Sequence, residues 1–277
     1  MIRYIPPLAV YSLTALLAGS AISAAPLLPD FSDAVFQPGR PIDHPYFPVI
    51  PRQRVVLTAS GVDDDGEPFT EKSILTSRKG GPVIAGVQSR TLVDQAFENG
   101  LLVEQTYDYY AQDDAGNVWY LGEDVTNYVY DDDGTLLSTN NASSWIAGIN
   151  GALPGFIMPA APTPGLAYFQ EFAAADGALD EAEILATGLD LSIGYGDFSQ
   201  VIAIREGTQL DPTAREIKYY APGIGIIRAE EGLDAGLKNP QVVFELKSVA
   251  PVPLPPALPA LGAGLAALGW LRRRRRR

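Results

Sequence analysis

Between residues 54 and 247, apolar and polar side chains alternate over short runs that turn residues interrupt. The runs cover residues 54–58, 67–78, 83–97, 101–112, 118–130 and 135–138, and resume at 166–172, 181–193, 200–206, 215–220, 224–228 and 241–247. They are rich in Val, Ile, Thr and Tyr, the residues that suit a pleated surface. Asn99-Gly100 between two of them is a strong hairpin signal. No window sustains a 3.6-residue period; residues 180–186 come nearest, and the Asp190-Leu191-Ser192-Ile193 that follows favours a strand. The pattern predicts one all-β domain over residues 55–250, an antiparallel meander with consecutive pairing. With about a dozen strands, a flat sheet would leave long unpaired edges, so the meander is expected to curl into a barrel or half-barrel.

Composition narrows the chemistry. The chain has 277 residues, 47% hydrophobic and 19% charged, enough for a buried core and too apolar for a disordered chain. It has no cysteine and a single histidine. That excludes thiolate nucleophiles, disulfides, cysteine zinc sites and any site built on two histidines. A Ser-His-Asp arrangement would have to use His44, which lies in a lead-in (residues 26–54) punctuated by Pro38, Pro41, Pro45, Pro48 and Pro51. His44 reads there as a solvent-facing or capping residue. No cofactor and no metal site is expected.

The two ends direct the chain out of the cytoplasm. Residues 1–25 combine Arg3, an apolar run over residues 8–18 and a small-residue stretch, the three-part order of a helical signal peptide cut by signal peptidase. At the other end, residues 257–271 form an uncharged run about 22 Å long as a helix, and Arg272, Arg273, Arg274 and three further arginines follow it. A basic cluster beside an apolar segment stays on the cytoplasmic side, so this run reads as a transmembrane helix anchoring an exterior domain in the inner membrane.

Val252-Pro253-Leu254-Pro255, the short apolar segment and the arginine cluster together resemble the VPLPA-CTERM sorting signal of Gram-negative bacteria, a relative of the PEP-CTERM signals. The resemblance spans residues 251–277 and departs from the family at Pro256, where alanine is usual. It implies a membrane-anchored intermediate, an exosortase-type sorting protease as partner, and delivery to the cell surface or extracellular matrix.

Charge agrees with an exterior protein. Arg3 and the six terminal arginines hold seven of the 20 basic residues, which leaves 13 against all 33 acidic ones, a net charge of −20 between the signals. Such a surface repels nucleic acid. The acidic clusters Asp63-Asp64-Asp65-Gly66, Asp113-Asp114-Ala115-Gly116 and Asp131-Asp132-Asp133-Gly134 tempt a calcium reading. Counting back from each glycine, however, the first ligand of a calcium loop would be Gly61, Ala111 or Val129, none of them a carboxylate. Asp at the first place and Gly at the fourth instead suit a type I turn closing into a glycine bulge.

The richest stretch runs from Tyr107 through the 113–116 turn to Val125. A bulge at Gly116 alone predicts Tyr110 opposite Tyr120 and Tyr107 opposite Glu123, with Trp119, Leu121 and Glu123 on one face and Tyr120 and Asp124 on the other. This stretch resembles an uncharacterised family of exported bacterial β-proteins. The shared blocks are Phe36-Gln37-Pro38-Gly39, residues 42–48, the run over residues 111–124 that includes Asn117-Val118-Trp119-Tyr120-Leu121-Gly122-Glu123-Asp124, residues 154–159, and Lys218-Tyr219-Tyr220-Ala221-Pro222-Gly223-Ile224-Gly225. The resemblance covers most of residues 36–230 and implies a curled antiparallel sheet similar to periplasmic lipoprotein-carrier folds. It brings no catalytic residue, and His44 stands where the family has asparagine.

Three functions follow in order. The first is a non-enzymatic, exported, surface- or matrix-directed β-protein. The second is a carrier that binds an apolar ligand or a surface carbohydrate on the concave face through Tyr107, Tyr109, Trp119, Glu123 and Trp145, with Trp145 and Phe156 over the mouth. The third is a glycoside hydrolase using two of Glu104, Asp108, Glu123 and Asp124.

Overall fold

The computed structural model describes residues 25–62 and 66–252. In chain order its strands are β1 (Ile42–His44), β2 (Phe47–Val49), β3 (Gln53–Val62), β4 (Pro68–Ser77), β5 (Val83–Ile84), β6 (Val87–Gln88), β7 (Arg90–Glu98), β8 (Leu101–Gln112), β9 (Val118–Tyr130) and β10 (Leu136–Asn140). There follow β11 (Trp145–Ile146), β12 (Leu153–Met158), β13 (Ala167–Phe169), β14 (Glu171–Phe172), β15 (Asp180–Ile193), β16 (Gly196–Thr208), β17 (Arg215–Ala221), β18 (Gly225–Glu231) and β19 (Val242–Pro251). Two short 3-10 turns, Phe31–Asp33 and Ala174–Asp176, complete the described elements. Residues 1–24 of the signal peptide, Pro253, Leu254, Pro255, the 257–271 run and Arg272, Arg273 and Arg274 lie outside the described residues, as does Asp63-Asp64-Asp65. Among the described residues, no helix is long and apolar enough to cross a membrane.

One antiparallel sheet holds most of the strands, in the order β13-β15-β16-β17-β18-β19-β3-β4-β7-β8-β9-β12-β14. Consecutive pairing holds from β15 to β19, and β3 is joined to β19 so that the two ends of the domain lie side by side. The edge strands β13 and β14 are separated in sequence by Gln170 alone. The chain therefore steps from one edge of the sheet to the other at this residue, where Gln170 N–H donates to Asp180 O at 2.8 Å. The result is a nearly closed antiparallel barrel. Gly155 on β12 makes that seam tight, because a Cβ there would stand 2.0 Å from Phe169 O.

The turns follow their chemistry. Asn99 and Gly100 both take positive φ, 47° and 87°, as a two-residue type I′ hairpin requires. At 113–117 and 131–135, Gly116 N–H and Gly134 N–H donate to Asp113 O and Asp131 O. The aspartate carboxylates accept from Asn117 N–H at 2.8 Å and Thr135 N–H at 2.7 Å, so these clusters are turns built on an aspartate cap.

Two expectations change. The 83–97 run is not one strand, because Ala85 and Gly86 at φ 47° and 82° break it into the β5–β6 hairpin before β7. Residues 180–186, the stretch nearest to a helical period, are extended as the 181–193 run predicts, and pair with both β13 and β16. The Pro-rich lead-in is structured: its β1–β2 hairpin contacts β8 on one side and β18 on the other, and so crosses one end of the barrel as a plug. Tyr46 hydroxyl donates to Gln200 O (3.0 Å), and Gly223 N–H donates to Pro45 O (2.7 Å). His44 is correspondingly buried, not solvent-facing; its Nδ1 accepts the Tyr46 N–H at 3.2 Å, and burial lowers its basicity.

The main apolar cluster includes Val118, Trp119, Leu121, Met158, Tyr168, Ile184, Ile202 and Ile204. Each fully buried aliphatic side chain there contributes roughly 2 kcal/mol. Phe31 and Phe36 from the lead-in pack their rings on Trp119 with centroids 5.2 and 6.3 Å away. A second cluster on Val201, Ala221, Ile227 and Leu246 receives Leu189, Leu191, Ile193 and Phe198, the far half of the β15–β16 hairpin, which folds back until Gly194 N–H reaches Glu245.

Candidate functional site

Strand alternation places Glu71, Ser73 and Leu75 of β4, Leu92, Asp94 and Ala96 of β7, Glu104, Thr106, Asp108 and Tyr110 of β8, and Glu216, Lys218 and Tyr220 of β17 around one cavity of about 600 Å³. Glu206, Glu231, Asp180, Glu171 and Gln170 complete the polar wall, and Phe47, Pro48 and Val49 of the plug close one end. Eleven carboxyl groups face two ammonium groups, Lys72 and Lys218. The polarity is inverted relative to an ordinary sheet, with acids among the inward positions of β4, β7, β8 and β17.

A bulge in β9 builds the deepest part. Tyr109 is opposite Gly122 and Tyr110 opposite Tyr120, so Leu121 is an extra residue with no partner on β8. Gly122, at φ +142°, passes so close to β11 that a Cβ would lie 2.6 Å from Trp145 O. The extra residue moves Glu123 onto the face of Tyr120. Tyr107 is thus opposite Asp124, and Asp108 opposite Glu123, which corrects the register expected from a Gly116 bulge alone. The Tyr120 hydroxyl then meets both carboxyls, at 2.5 Å from Asp108 Oδ1 and 2.9 Å from Glu123 Oε2.

Electrostatics follow from enclosure. Burial pushes Asp108 up to about 7, and the nearby charges of Asp94 and Glu104 add to it against the Tyr120 hydrogen bond. Burial and then Asp108 push Glu123 up to about 8. Glu171 is held well above the usual carboxylate range by burial and by Glu123. Glu231 is pushed to about 7 by burial and Glu216. The exception is the ion-pair group around Lys218, whose Nζ lies 2.7 Å from Glu206 Oε2 and 3.0 Å from Glu216 Oε1. Burial opposes the Lys218 charge, but these two carboxylates outweigh it and hold the amine well above the usual lysine range.

Of the residues singled out in the sequence, Glu104, Asp108 and Glu123 line the cavity. Tyr107 and Tyr109 alternate with that wall; the Arg78 guanidinium sits 4.8 Å from the Tyr107 ring centroid, and the Gln105 amide donates to its hydroxyl. Trp119 belongs to the apolar cluster with Phe31, Phe36 and Phe156, its Nε1–H donating to Asp113 Oδ2 at 2.8 Å. Trp145 is buried behind Tyr120, with rings edge-on at 5.4 Å. Asp124 is exposed. Val252 closes the described chain, its N–H donating to Arg52 O.

Sequence reasoning missed Gln170, Glu171, Glu206, Glu216, Lys218 and Glu231. A signal was present in Glu216-Ile217-Lys218-Tyr219-Tyr220, where charged residues alternate with an apolar one. That period reveals two faces without saying which points inward. Gln170 is 4% exposed, lines the cavity, and its Nε2 has no hydrogen-bond partner. Among the described residues, no cluster of His, Cys, Asp or Glu is close enough to hold a metal ion.

No family model and no curated protein matches the chain. Two solved structures are similar over 75% of this chain and 99% of their own. One is described as an exported protein with a YmcC-like fold from Bacteroides fragilis, at 13% identity and a TM-score of 0.40. The other is described as a lipoprotein from Parabacteroides distasonis, at 11% identity and a TM-score of 0.34.

Proposed function

We propose that this chain is an exported, non-enzymatic β-barrel that carries a small polar ligand in its interior. The cavity supports this reading: about 600 Å³ lies within the usual range of small-molecule sites, and its wall combines hydrogen-bonding groups with the rings of Phe47, Tyr110, Tyr120 and Tyr220. An apolar ligand would leave many carboxyls without partners, so a polar one fits better. Export rests on the leader and on the resemblance of residues 251–277 to a sorting signal, which point to an inner-membrane intermediate, a sorting protease and final delivery to the surface or matrix.

The hydrolase reading is weaker on two counts. Hydrolysis by two carboxyls needs one held protonated and the other ionised, whereas enclosure pushes Asp108 and Glu123 up together. The Tyr120 hydroxyl also stands between them, where the scissile bond would have to sit.

The test is isothermal titration and thermal unfolding of the full chain with glucose, glucosamine, 1,4-diaminobutane and hexadecanoate. A polar compound binding one to one and raising Tm supports the carrier, provided that Ala96→Trp, which fills the cavity, abolishes the effect. Binding of hexadecanoate alone, or of none of the four, overturns it. Sorting is tested separately by intact mass and fractionation in Gram-negative hosts with and without an exosortase-type protease; an arginine tail retained in the inner membrane in both overturns that part.

A further inference from the structure

Two unmet demands converge in the cavity. The first is charge. Lys218 is committed to Glu206 and Glu216, and Lys72 lies against the Phe97 ring, 4.2 Å from its centroid. Asp108, Glu123 and Glu171 make no ion pair among the described residues, although Asp108 raises the proton affinity of Glu123 and both raise that of Glu171. A cation placed among them would recover Coulomb energy that the protein's own side chains leave unused. The second demand is for an acceptor. Gln170, at the seam where the barrel closes, is 4% exposed and lines the same cavity, and its side-chain Nε2 has no hydrogen-bond partner. Leaving a buried donor unpaired costs about 1–3 kcal/mol, which a ligand oxygen would restore.

A bare metal ion meets neither demand well. No three ligating groups among the described residues converge as an ion requires, and a cation gives the Gln170 amide nothing to donate to. A neutral polyol answers the amide but not the carboxyls. We propose that the cavity binds a small hydroxylated primary amine, with its ammonium among Asp108, Glu123 and Glu171 and a hydroxyl or ring oxygen accepting from Gln170. This rests on the carrier reading of the same site. Burial makes Asp108 and Glu123 hold protons readily, with Asp94 and Glu104 adding to it and Lys218 opposing it at Asp108, and Asp108, Glu104 and Asp180 adding to it at Glu123. Ammonium entry therefore displaces a proton to solvent.

The experiment titrates the full chain at pH 7.5 with glucosamine, glucose and 1,4-diaminobutane, in two buffers of different ionisation enthalpy. Glucosamine is expected to bind about ten-fold or more tighter than either of the others, with proton release visible as a buffer-dependent heat. Glu123→Gln, an isosteric change at a group already prone to be neutral, should lower glucosamine affinity about ten-fold and leave glucose unaffected. Gln170→Leu should bring glucosamine down to the level of the diamine. Glucose binding as tightly as glucosamine overturns the amine while leaving the carrier standing. Equal binding of the diamine and glucosamine overturns the role of Gln170. Absence of binding by all three and by hexadecanoate overturns both the amine and the carrier. The wild-type comparison decides the question even where a variant fails to fold.

Discussion

The Tyr120 hydroxyl lies 2.5 Å from Asp108 Oδ1 across the β8–β9 pair, and the same oxygen is 2.9 Å from Glu123 Oε2. A phenol has one proton to give, so the second carboxyl must supply the proton of the second hydrogen bond. The three groups therefore hold at least one carboxyl proton when all contacts are made. Tyr120→Phe removes the oxygen that both carboxyls share and leaves them unsatisfied inside the barrel. The expected cost is about 1–3 kcal/mol, read by denaturant unfolding, without loss of the strand signal in circular dichroism. A variant as stable as the parent would mean that water replaces the phenol fully.

Raised carboxyl pKa values make stability depend on pH in a definite direction. Asp108 and Glu231 at about 7 and Glu123 at about 8 all lie above their unfolded values. Between the unfolded and folded values the native state binds more protons, so stability is greatest near pH 4–5 from this source and falls as pH rises toward about 8. One pKa unit is worth about 1.4 kcal/mol, so three groups each raised by roughly three units predict a Tm that falls clearly over this interval. Scanning calorimetry between pH 5 and pH 8.5 checks the sign; a Tm that rises over this interval contradicts it.

How much of this was legible in the sequence depends on which contacts are local. The runs at 101–112 and 118–130 coincide with β8 and β9, because alternation, an aspartate turn and hairpin pairing are all written within 30 residues. Tyr110 opposite Tyr120 was legible for the same reason. The bulge at Leu121 was not, since Gly122 is needed only because β11 crosses close by, a contact from a distant segment. Glu123 was therefore assigned to the face of Trp119, when it joins Tyr120 inside the barrel. Lys218 and Glu171 were hidden for a related reason: closure at Gln170 turns an acidic face inward, and no single strand shows it.

Lys218 offers a test of that inward polarity. Its ammonium is the nearest cation to Glu206 and Glu216, and Lys218→Met would leave two enclosed carboxylates without it. Removing one partner of a buried ion pair costs about 3–5 kcal/mol. Unfolding at pH 7.5 should show a loss of this order, shrinking at pH 5 as Glu216, which burial pushes up, takes up a proton. The triple variant Lys218→Met, Glu206→Gln, Glu216→Gln should recover most of it, because no uncompensated charge then remains. A loss equal at both pH values would place the damage in packing.

The seam sets a sharper geometric limit. Gly155 on β12 pairs with Tyr120 on one side, and on the other a Cβ would stand 2.0 Å from Phe169 O and 2.7 Å from Gln170 O. These are backbone atoms held by the β13–β15 pairing and by the Gln170–Asp180 hydrogen bond, so they cannot yield without opening the barrel. Gly155→Ala adds one methyl group and should cost about 3 kcal/mol or more, at the upper end of overpacking effects. Gly80→Ala is the matched control: nothing lies within 4 Å of its Cβ, and the expected change is within about 0.5 kcal/mol. Hydrogen exchange distinguishes local from global damage. Faster exchange at Gln170 and Phe169 N–H in Gly155→Ala, with β17 and β18 still protected, would show that the barrel opens where its edges meet. Uniform acceleration would instead mean that the seam and the far wall unfold as one unit.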